Sequence, residues 1–251
     1  MKTAVITGVS SGIGFELAKA LLKKNFNVYG ISRRTPKELF DYENFNFLCI
    51  DLNNFENLTN KISEFLIKKF NITKIDYLFL NAGEFNKRIA PISDTPISEY
   101  DYLMRVNVWS YKIILDVLLR ASVLLDTVIF SSSISSLRAR KGMGAYAISK
   151  AALNMMAKLY ALEHPEVFFS VLGLCNVNTF VADNILNLPL LGDFNELAEL
   201  RDRASIPGYL TSPFDRAEQI LLLLESDLKK KSTSGEFIEI RQLLEINRIT
   251  E

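Results

Sequence analysis

A glycine-rich loop near the start of the chain constrains the fold most strongly. The apolar residues Ala4, Val5 and Ile6 predict a short buried strand, and residues 7–14, with the sequence TGVSSGIG, follow it directly. Glycines at a strand end let the backbone turn sharply, and the next helix would direct its unpaired N–H groups and positive dipole end toward a phosphate. A strand-to-helix turn without a ligand can also use glycines. The rest of the chain must therefore distinguish a nucleotide site from an unliganded turn.

Strand-like and helix-like patterns alternate along the chain. Predicted strands cover residues 3–7, 27–32, 46–50, 75–80, 127–132, 167–173 and 236–240, and predicted helices cover 12–24, 54–70, 98–122, 145–163 and 213–226. This alternation is typical of an α/β fold with one doubly wound parallel sheet, which binds its ligand at the carboxyl ends of the strands. We interpret residues 1–251 as a single domain, and residues 176–211, which lack a clear pattern, as a substrate lid.

Composition argues against several classes of partner. Lysine plus arginine equals aspartate plus glutamate at 29 each, so no net field attracts nucleic acid or an anionic membrane. Cys49 and Cys175 lie in apolar segments without metal-ligand spacing, and we interpret them as small core residues of a cytoplasmic protein. No apolar segment reaches the ~18 residues of a membrane span. We predict no nucleic-acid partner, no membrane partner and no metal.

Tyr146 and Lys150 form the second informative pattern. They stand four residues apart at the start of a predicted helix, which places both side chains on one face. A phenol has a pKa near ~10, and a fixed ammonium group beside it favours the phenolate, so the pair suits proton transfer. The same spacing also occurs in ordinary surface pairs. Ser133 favours the catalytic interpretation, because it follows a predicted strand and its hydroxyl would emerge at the ligand edge of the sheet.

Together these motifs resemble those of the short-chain dehydrogenases/reductases over nearly the whole chain. Residues 7–14 match the TGxxxGIG loop of that family, and residues 81–83 match its NAG element. The residues that match its catalytic positions are Asn107, Ser133, Tyr146 and Lys150. The resemblance implies a Rossmann fold of about seven strands and an NAD(P)-dependent oxidoreductase. Such an enzyme transfers a hydride between nicotinamide and a small-molecule carbonyl or secondary alcohol.

The resemblance also implies a role for each matching residue. Tyr146 would donate a proton to the carbonyl oxygen, and Ser133 would hydrogen-bond the same oxygen. Lys150 would bind the nicotinamide ribose and lower the pKa of Tyr146. Asn107 would hold a helix kink and a water through which Lys150 is reprotonated.

The residues at the end of the second predicted strand indicate whether the chain binds NADP(H) or NAD(H). NAD enzymes of this kind usually carry an acid there for the ribose 2′-hydroxyl, whereas this chain has Ser32 followed by Arg33. A guanidinium beside a small hydroxyl suits a 2′-phosphate, so we expect NADP(H) in preference to NAD(H). In the alternative, Arg33 and Arg34 are solvated charges. The implied cofactor contacts are Gly8, Ser10, Ser11, Gly12, Ile13, Gly14, Ser32, Arg33, Asp51, Leu52, Asn81, Ala82, Gly83, Tyr146, Lys150, Val177 and Thr179.

The chain departs from the family pattern in two places. Leu174 and Cys175 stand where the family usually has Pro-Gly, which predicts a less rigid loop beside the nicotinamide. Residues 241–242 are Arg-Gln in place of a frequent Gly-Gly. Trp109 lies on a helix that commonly packs between subunits in this family, which suggests a homodimer or homotetramer.

Several functional alternatives stay open on the sequence alone. The fold could serve as a non-catalytic cofactor-binding sensor or scaffold, or as a sugar epimerase that uses transient oxidation. Arg138, Arg140 and Lys141 border the expected substrate site, and they indicate either an anionic substrate or ordinary solvated loop charges. The substrate itself is not named by the sequence.

Overall fold

One parallel sheet organises the chain. The computed structural model describes residues 1–226 and 228–250, and these contain strands β1 (Thr3–Thr7), β2 (Asn27–Ser32), β3 (Phe45–Cys49), β4 (Lys74–Leu80), β5 (Leu124–Ser132), β6 (Phe168–Gly173) and β7 (Phe237–Glu239). Their spatial order is β3-β2-β1-β4-β5-β6-β7, and every neighbouring pair is parallel. The predicted doubly wound sheet is therefore confirmed.

The topology fixes where a ligand can bind. Val5 in β1 is paired with Tyr29 of β2 on one side and with Leu78 of β4 on the other. The chain winds outward from β1 to β3 and then returns to place β4 on the opposite side of β1. This reversal opens a crevice beyond the carboxyl ends of β1 and β4, where open α/β sheets bind their ligands.

Helices cover both faces of the sheet. Their bounds are α1 (Gly12–Lys23), α2 (Phe55–Ile62), α3 (Ile97–Met104), α4 (Ser110–Arg120), α5 (Gly144–Glu163), α6 (Phe180–Asn187), α7 (Asn195–Ala204), α8 (Pro213–Glu225), α9 (Leu228–Lys231) and α10 (Ile240–Thr250). Helices α2, α4 and α5 pack on the face that carries Val5 and Leu78. Helices α1, α8 and α10 pack on the face that carries Ile6 and Phe79. Successive strand residues point to opposite faces of the sheet. Since the strand residues on each face are buried and apolar, both faces of the sheet are apolar.

The predicted helix 98–122 is interrupted near its centre. Its extent agrees with α3 and α4, but a π-helical turn at Arg105–Trp109 separates the two and contains Asn107. The predicted helix 54–70 likewise consists of α2 followed by a π-helical turn at Ser63–Lys69. π-Helical turns are frequent at functional sites because they reorient a side chain within a helix.

The segment 176–211 is more regular than the sequence indicates. It contains α6 and α7, which were not predicted because α6 buries no residue fully and α7 buries only Leu197 and Leu200. Those two leucines pack with Phe85 and Tyr146 in a third apolar cluster, separate from the two that flank the sheet. The segment therefore lies over the start of α5.

Two further expectations need correction. Cys49 is exposed, because β3 is an edge strand, and Cys175 is only partly buried, so the interpretation of both as core residues is wrong. The predicted strand 236–240 is shorter, and α10 begins directly after it at Ile240. In the described part of the chain, no helix combines the length and apolar character needed to cross a membrane.

Candidate active site

A cleft of about 440 Å³ lies at the carboxyl edge of the sheet. The predicted site residues that line it are Gly8, Ser10, Ser11, Gly12, Ile13, Ser32, Arg33, Asp51, Leu52, Asn81, Ala82, Gly83, Ser133, Tyr146, Lys150, Val177 and Thr179. Gly14 and Asn107 lie behind the lining. The fold thus brings residues from all parts of the predicted motif set to one cavity.

At two glycines of the loop, a larger side chain would clash with different parts of the structure. Gly8 has a φ of +82°, and a Cβ there would lie 3.0 Å from the Ala82 Cα. A Cβ on Gly14 would lie 2.4 Å from the carbonyl oxygen of Gly8 and 2.6 Å from Asn81 Nδ2. Gly14 therefore permits close packing of α1 beneath the loop, while Gly8 permits the loop to pass close to β4.

The start of α1 offers unpaired donors to the cleft. Its N-cap residue, Ser11, makes no side-chain capping hydrogen bond, and the first turn contains no acidic residue. Ser10, Ser11, Gly12 and Ile13 all line the cavity. Free N–H groups and the positive end of the helix dipole at a glycine cradle fit the phosphates of a dinucleotide.

Thr7 links the two strands at the switch point and was not predicted as a site residue. It is fully buried, and its Oγ1 accepts hydrogen bonds from the N–H groups of Asn81 at 2.9 Å and Ala82 at 3.0 Å. The same hydroxyl donates to the Phe79 carbonyl at 3.3 Å. The sequence could have indicated this role, because Thr7 is the first residue of the glycine loop.

Tyr146 lies in the first turn of α5, and only 6% of its surface is exposed. Its backbone N–H donates to Asn86 Oδ1 at 3.0 Å, and Asn86 Nδ2 donates to the Gly142 carbonyl at 3.3 Å. The phenol ring packs against Phe85 with a centroid separation of 5.0 Å. Asn86, which sequence reasoning missed, thus ties the loop after β4 to the start of α5 and fixes Tyr146.

The protonation of Tyr146 differs from the expectation. Burial raises the pKa of Tyr146 to about 12, against an opposing hydrogen bond with the Ser133 side chain. Burial lowers the pKa of Lys150 to about 8, and its Nζ donates to the Ser131 carbonyl at 2.8 Å. The pKa of Tyr146 is therefore raised, not lowered as expected: burial dominates, and the opposing influence is the Ser133 hydrogen bond instead of Lys150.

The buried ammonium of Lys150 gives a pH-dependent stability. Its pKa falls from 10.5 to about 8, so between these values the unfolded chain binds more protons than the folded chain, and stability rises with pH. We expect the free energy of unfolding to rise by about 2 kcal/mol from about pH 7 to about pH 9.5, relative to Lys150→Met. Urea unfolding at each pH measures it. Lys141→Met, at an exposed position, serves as the control, and parallel profiles for wild type and Lys150→Met would contradict the prediction.

Asn107 acts on the backbone around the cleft. The side chain of Asn107 is fully buried. Its Nδ2 donates to the Glu84 carbonyl at 3.1 Å and to Ser149 Oγ at 3.0 Å. Its Oδ1 accepts a hydrogen bond from the Glu84 N–H at 2.9 Å. Ser149 Oγ in turn donates to the Tyr146 carbonyl at 2.7 Å. The π-helical turn therefore aims Asn107 at the loop after β4 and at α5.

The arginines after β2 take different positions. Arg33 forms an ion pair with Glu84, whereas Arg34 Nη2 donates to Ser11 Oγ at 3.2 Å on the glycine loop. Ser32 is buried, and its hydroxyl donates to the Arg34 carbonyl at 2.7 Å. Arg34 and Glu84, which were absent from the predicted set, line the cleft beside Arg33. Only the fold could show that Arg34 is the one that contacts the glycine loop.

The loop that lacks Pro-Gly is held by other means. Cys175 has a left-handed φ of 59°, and backbone hydrogen bonds join Asn178 N–H to the Thr211 carbonyl and Thr211 N–H to the Asn176 carbonyl, both at 2.9 Å. Arg216 is 3% exposed, with Nε and Nη1 unpartnered among the described residues, and it acts electrostatically on Cys175. The substituted loop is thus attached to residue 211 by a short parallel bridge.

Comparisons with known proteins agree with this geometry. The model of the short chain dehydrogenase family matches residues 2–185. An uncharacterized oxidoreductase of Schizosaccharomyces pombe is 29% identical, covering 95% of this chain and 96% of its own. A benzil reductase of Bacillus cereus, described as (S)-benzoin forming, is 28% identical, covering 98% of this chain and 94% of its own. The structure of a short chain dehydrogenase family protein from Francisella tularensis has a TM-score of 0.76 at 27% identity, covering 96% of this chain and 97% of its own.

The family match spans most of the chain and includes the glycine loop, the NAG element and the serine, tyrosine and lysine of the cleft. The predicted family and the prediction of an enzyme are therefore confirmed, as is a nicotinamide cofactor with a small-molecule substrate. The chain belongs to the short chain dehydrogenase family of oxidoreductases.

Proposed function

We propose that this protein is an NADPH-dependent reductase of a carbonyl compound. The observation that carries the proposal is one cleft that holds both the glycine cradle and the neighbouring hydroxyls of Ser133 and Tyr146. When bound, the nicotinamide cofactor supplies the hydride. The benzil reductase relative, named for reduction of a carbonyl compound, supports the same direction of reaction.

The cleft residues suit proton donation to a carbonyl oxygen. With its pKa raised to about 12, Tyr146 is protonated at neutral pH and can donate. Ser133 hydrogen-bonds the same oxygen and stabilises the negative charge that develops there. Lys150 Nζ lies 5.7 Å from the centroid of the phenol ring, and we assign it to binding the nicotinamide ribose. Asn107 acts as a positioning residue through Ser149 and Glu84.

The preference for NADPH rests on the charges after β2. Ser32 provides no carboxylate to repel a 2′-phosphate, and the guanidinium groups of Arg33 and Arg34 both line the cleft. Arg34 already contacts the glycine loop through Ser11, whereas Arg33 forms an ion pair with Glu84. Both guanidinium groups would donate charge-assisted hydrogen bonds to the oxygens of a 2′-phosphate.

Fluorescence titrations with NADPH and NADH test the cofactor preference. We expect NADPH to bind about tenfold or more tightly than NADH, and Arg33→Ala and Arg34→Ala each to weaken NADPH binding by about tenfold. NADH affinity should change little, because that cofactor lacks the 2′-phosphate.

The control for this titration is Lys23→Ala, which removes a cation from the far end of α1. Equal affinities of the wild-type protein for the two cofactors would overturn the preference. Loss of both cofactors in an arginine variant would point to damage of the glycine loop.

We also propose that residues 176–211 serve as a substrate lid and that the protein forms a homodimer or homotetramer. The lid is supported by the packing of Leu197 and Leu200 in the cluster that contains Tyr146. Association is supported by apolar side chains left exposed on and beside α4 and α5, among them Trp109 at 41% and Met155 at 58%.

A further inference from the structure

The cleft continues beyond Tyr146 and Ser133 into a largely apolar compartment. Its walls come from the loop before α5, from α6, from α7 and from the segment that follows α7. Apolar lining residues of this compartment are Ile134, Met143, Val181, Ile185, Leu200 and Leu210. Among the described residues that line the cleft past the catalytic hydroxyls, Arg140 is the only charged one. Apolar walls with one cation predict a ligand that is mostly apolar and carries one negative group.

In the described part of the chain, no acidic side chain lies within salt-bridge distance of Arg140. Its guanidinium is partly buried, and within the described chain it makes no side-chain hydrogen bond and no salt bridge within 4.0 Å. The groups that act on it electrostatically are the cations Arg138 and Arg203, the acid Glu196 and the phenol of Tyr209. Arg203 also pairs with Glu199 at 3.9 Å. Burial and these cations lower the pKa of Arg140. A partly buried cation without a salt-bridge partner gains from a bound anion.

The loop that carries Arg140 is held in place. Gly142 adopts a φ of +82°, and a Cβ there would lie 2.6 Å from Ile89 Cγ2 and 3.3 Å from Leu197 Cδ1. The Gly142 carbonyl accepts a hydrogen bond from Asn86, the residue that also fixes Tyr146. Arg140 therefore stands in a fixed relation to the proton donor, as a specificity residue must.

We infer that Arg140 is the anion-binding residue of the substrate compartment, and that the substrate is a carbonyl compound with an apolar body and a terminal carboxylate or phosphate. This inference rests on the proposed reductase function. The planar guanidinium can bind either group through two parallel hydrogen bonds, while the apolar walls hold the body of the substrate. The anionic group would fix the distance between the carbonyl and the hydroxyl of Tyr146.

A matched pair of ketones tests the inference. 5-Oxo-5-phenylpentanoate and its methyl ester share one skeleton and differ in charge, and kcat/KM for each is measured with NADPH. We expect Arg140→Gln to lower the acid-to-ester ratio of kcat/KM by about ten- to hundredfold, and Arg140→Lys to restore part of it. Lys141→Gln removes the neighbouring exposed cation and should leave the ratio unchanged. An unchanged ratio in Arg140→Gln would overturn the inference.

Binding measurements separate this inference from the proposed function. Calorimetric titration of the NADP⁺-loaded protein with decanoate, methyl decanoate and decyl phosphate requires no turnover. Arg140-dependent binding of decanoate or decyl phosphate supports the subsite and shows which anion it prefers. Absence of Arg140-dependent binding of either anion overturns it. If the anions bind through Arg140 but neither ketone is reduced, the reductase proposal fails while the anion site stands.

Discussion

Replacing Tyr146 with phenylalanine is expected to lower kcat for carbonyl reduction by about 10³-fold, while NADPH affinity stays within about twofold. The substitution removes only the hydroxyl that we propose as the proton donor. The ring keeps its packing against Phe85, and the backbone N–H keeps its hydrogen bond to Asn86, so the fold and the glycine cradle are undisturbed. Steady-state assays with NADPH and an aryl ketone measure kcat, and fluorescence titration measures cofactor affinity.

Tyr100→Phe is the matched control for this experiment. Tyr100 is a buried-hydroxyl tyrosine beside the start of α5, and its hydroxyl has no hydrogen-bond partner in the described chain. Removing that hydroxyl should leave both kcat and stability nearly unchanged. Full turnover by Tyr146→Phe on every reducible ketone would show that another group supplies the proton.

Replacing Gly14 with alanine is expected to weaken NADPH binding at least tenfold and to destabilise the protein by about 2 kcal/mol. The added Cβ would stand 2.4 Å from the Gly8 carbonyl oxygen, and it can be accommodated only if the loop moves away from α1. Such a movement displaces the N–H groups that face the phosphates. For a chain of this size the loss corresponds to roughly 4–8 °C in Tm, which thermal unfolding measures.

Gly208→Ala separates steric overlap from backbone strain. Gly208 has a φ of +83°, but a Cβ there would meet no atom within 4 Å. This variant should lose about 1 kcal/mol through the left-handed backbone alone and bind NADPH normally. If Gly14→Ala bound NADPH as tightly as the wild type, the close packing of α1 against the loop would not be what shapes the cradle.

The strands and the helices that flank the sheet were predictable because their patterns are local. The apolar runs that form β1, β2 and β4 differ from the predicted bounds by at most one residue. Helices α6 and α7 were missed for the opposite reason: they bury too few side chains to show a period. Their stability depends on contacts with residues far away in sequence, such as Phe85 and Ile89.

The residues of the candidate site likewise divide into those that a local motif predicts and those that only distant contacts bring to the site. Matching of short motifs was enough to select Ser133, Tyr146 and Lys150, since each lies at a recognisable position after a strand or within one helical turn. No motif selects Asn86, which joins α5 from a position 60 residues earlier in the chain.

By itself the sequence determined the alternation of strands and helices, the glycine loop and the motif residues among those that meet at the sheet edge. These features depend on side-chain type and on spacing between near neighbours. The tertiary structure decided that Arg34 contacts the glycine loop while Arg33 pairs with Glu84. It also decided that the pKa of Tyr146 is raised and that Arg140 lines the cleft with no salt bridge to another described residue. Burial and charge balance arise only when segments distant in sequence pack together, so no local pattern encodes them.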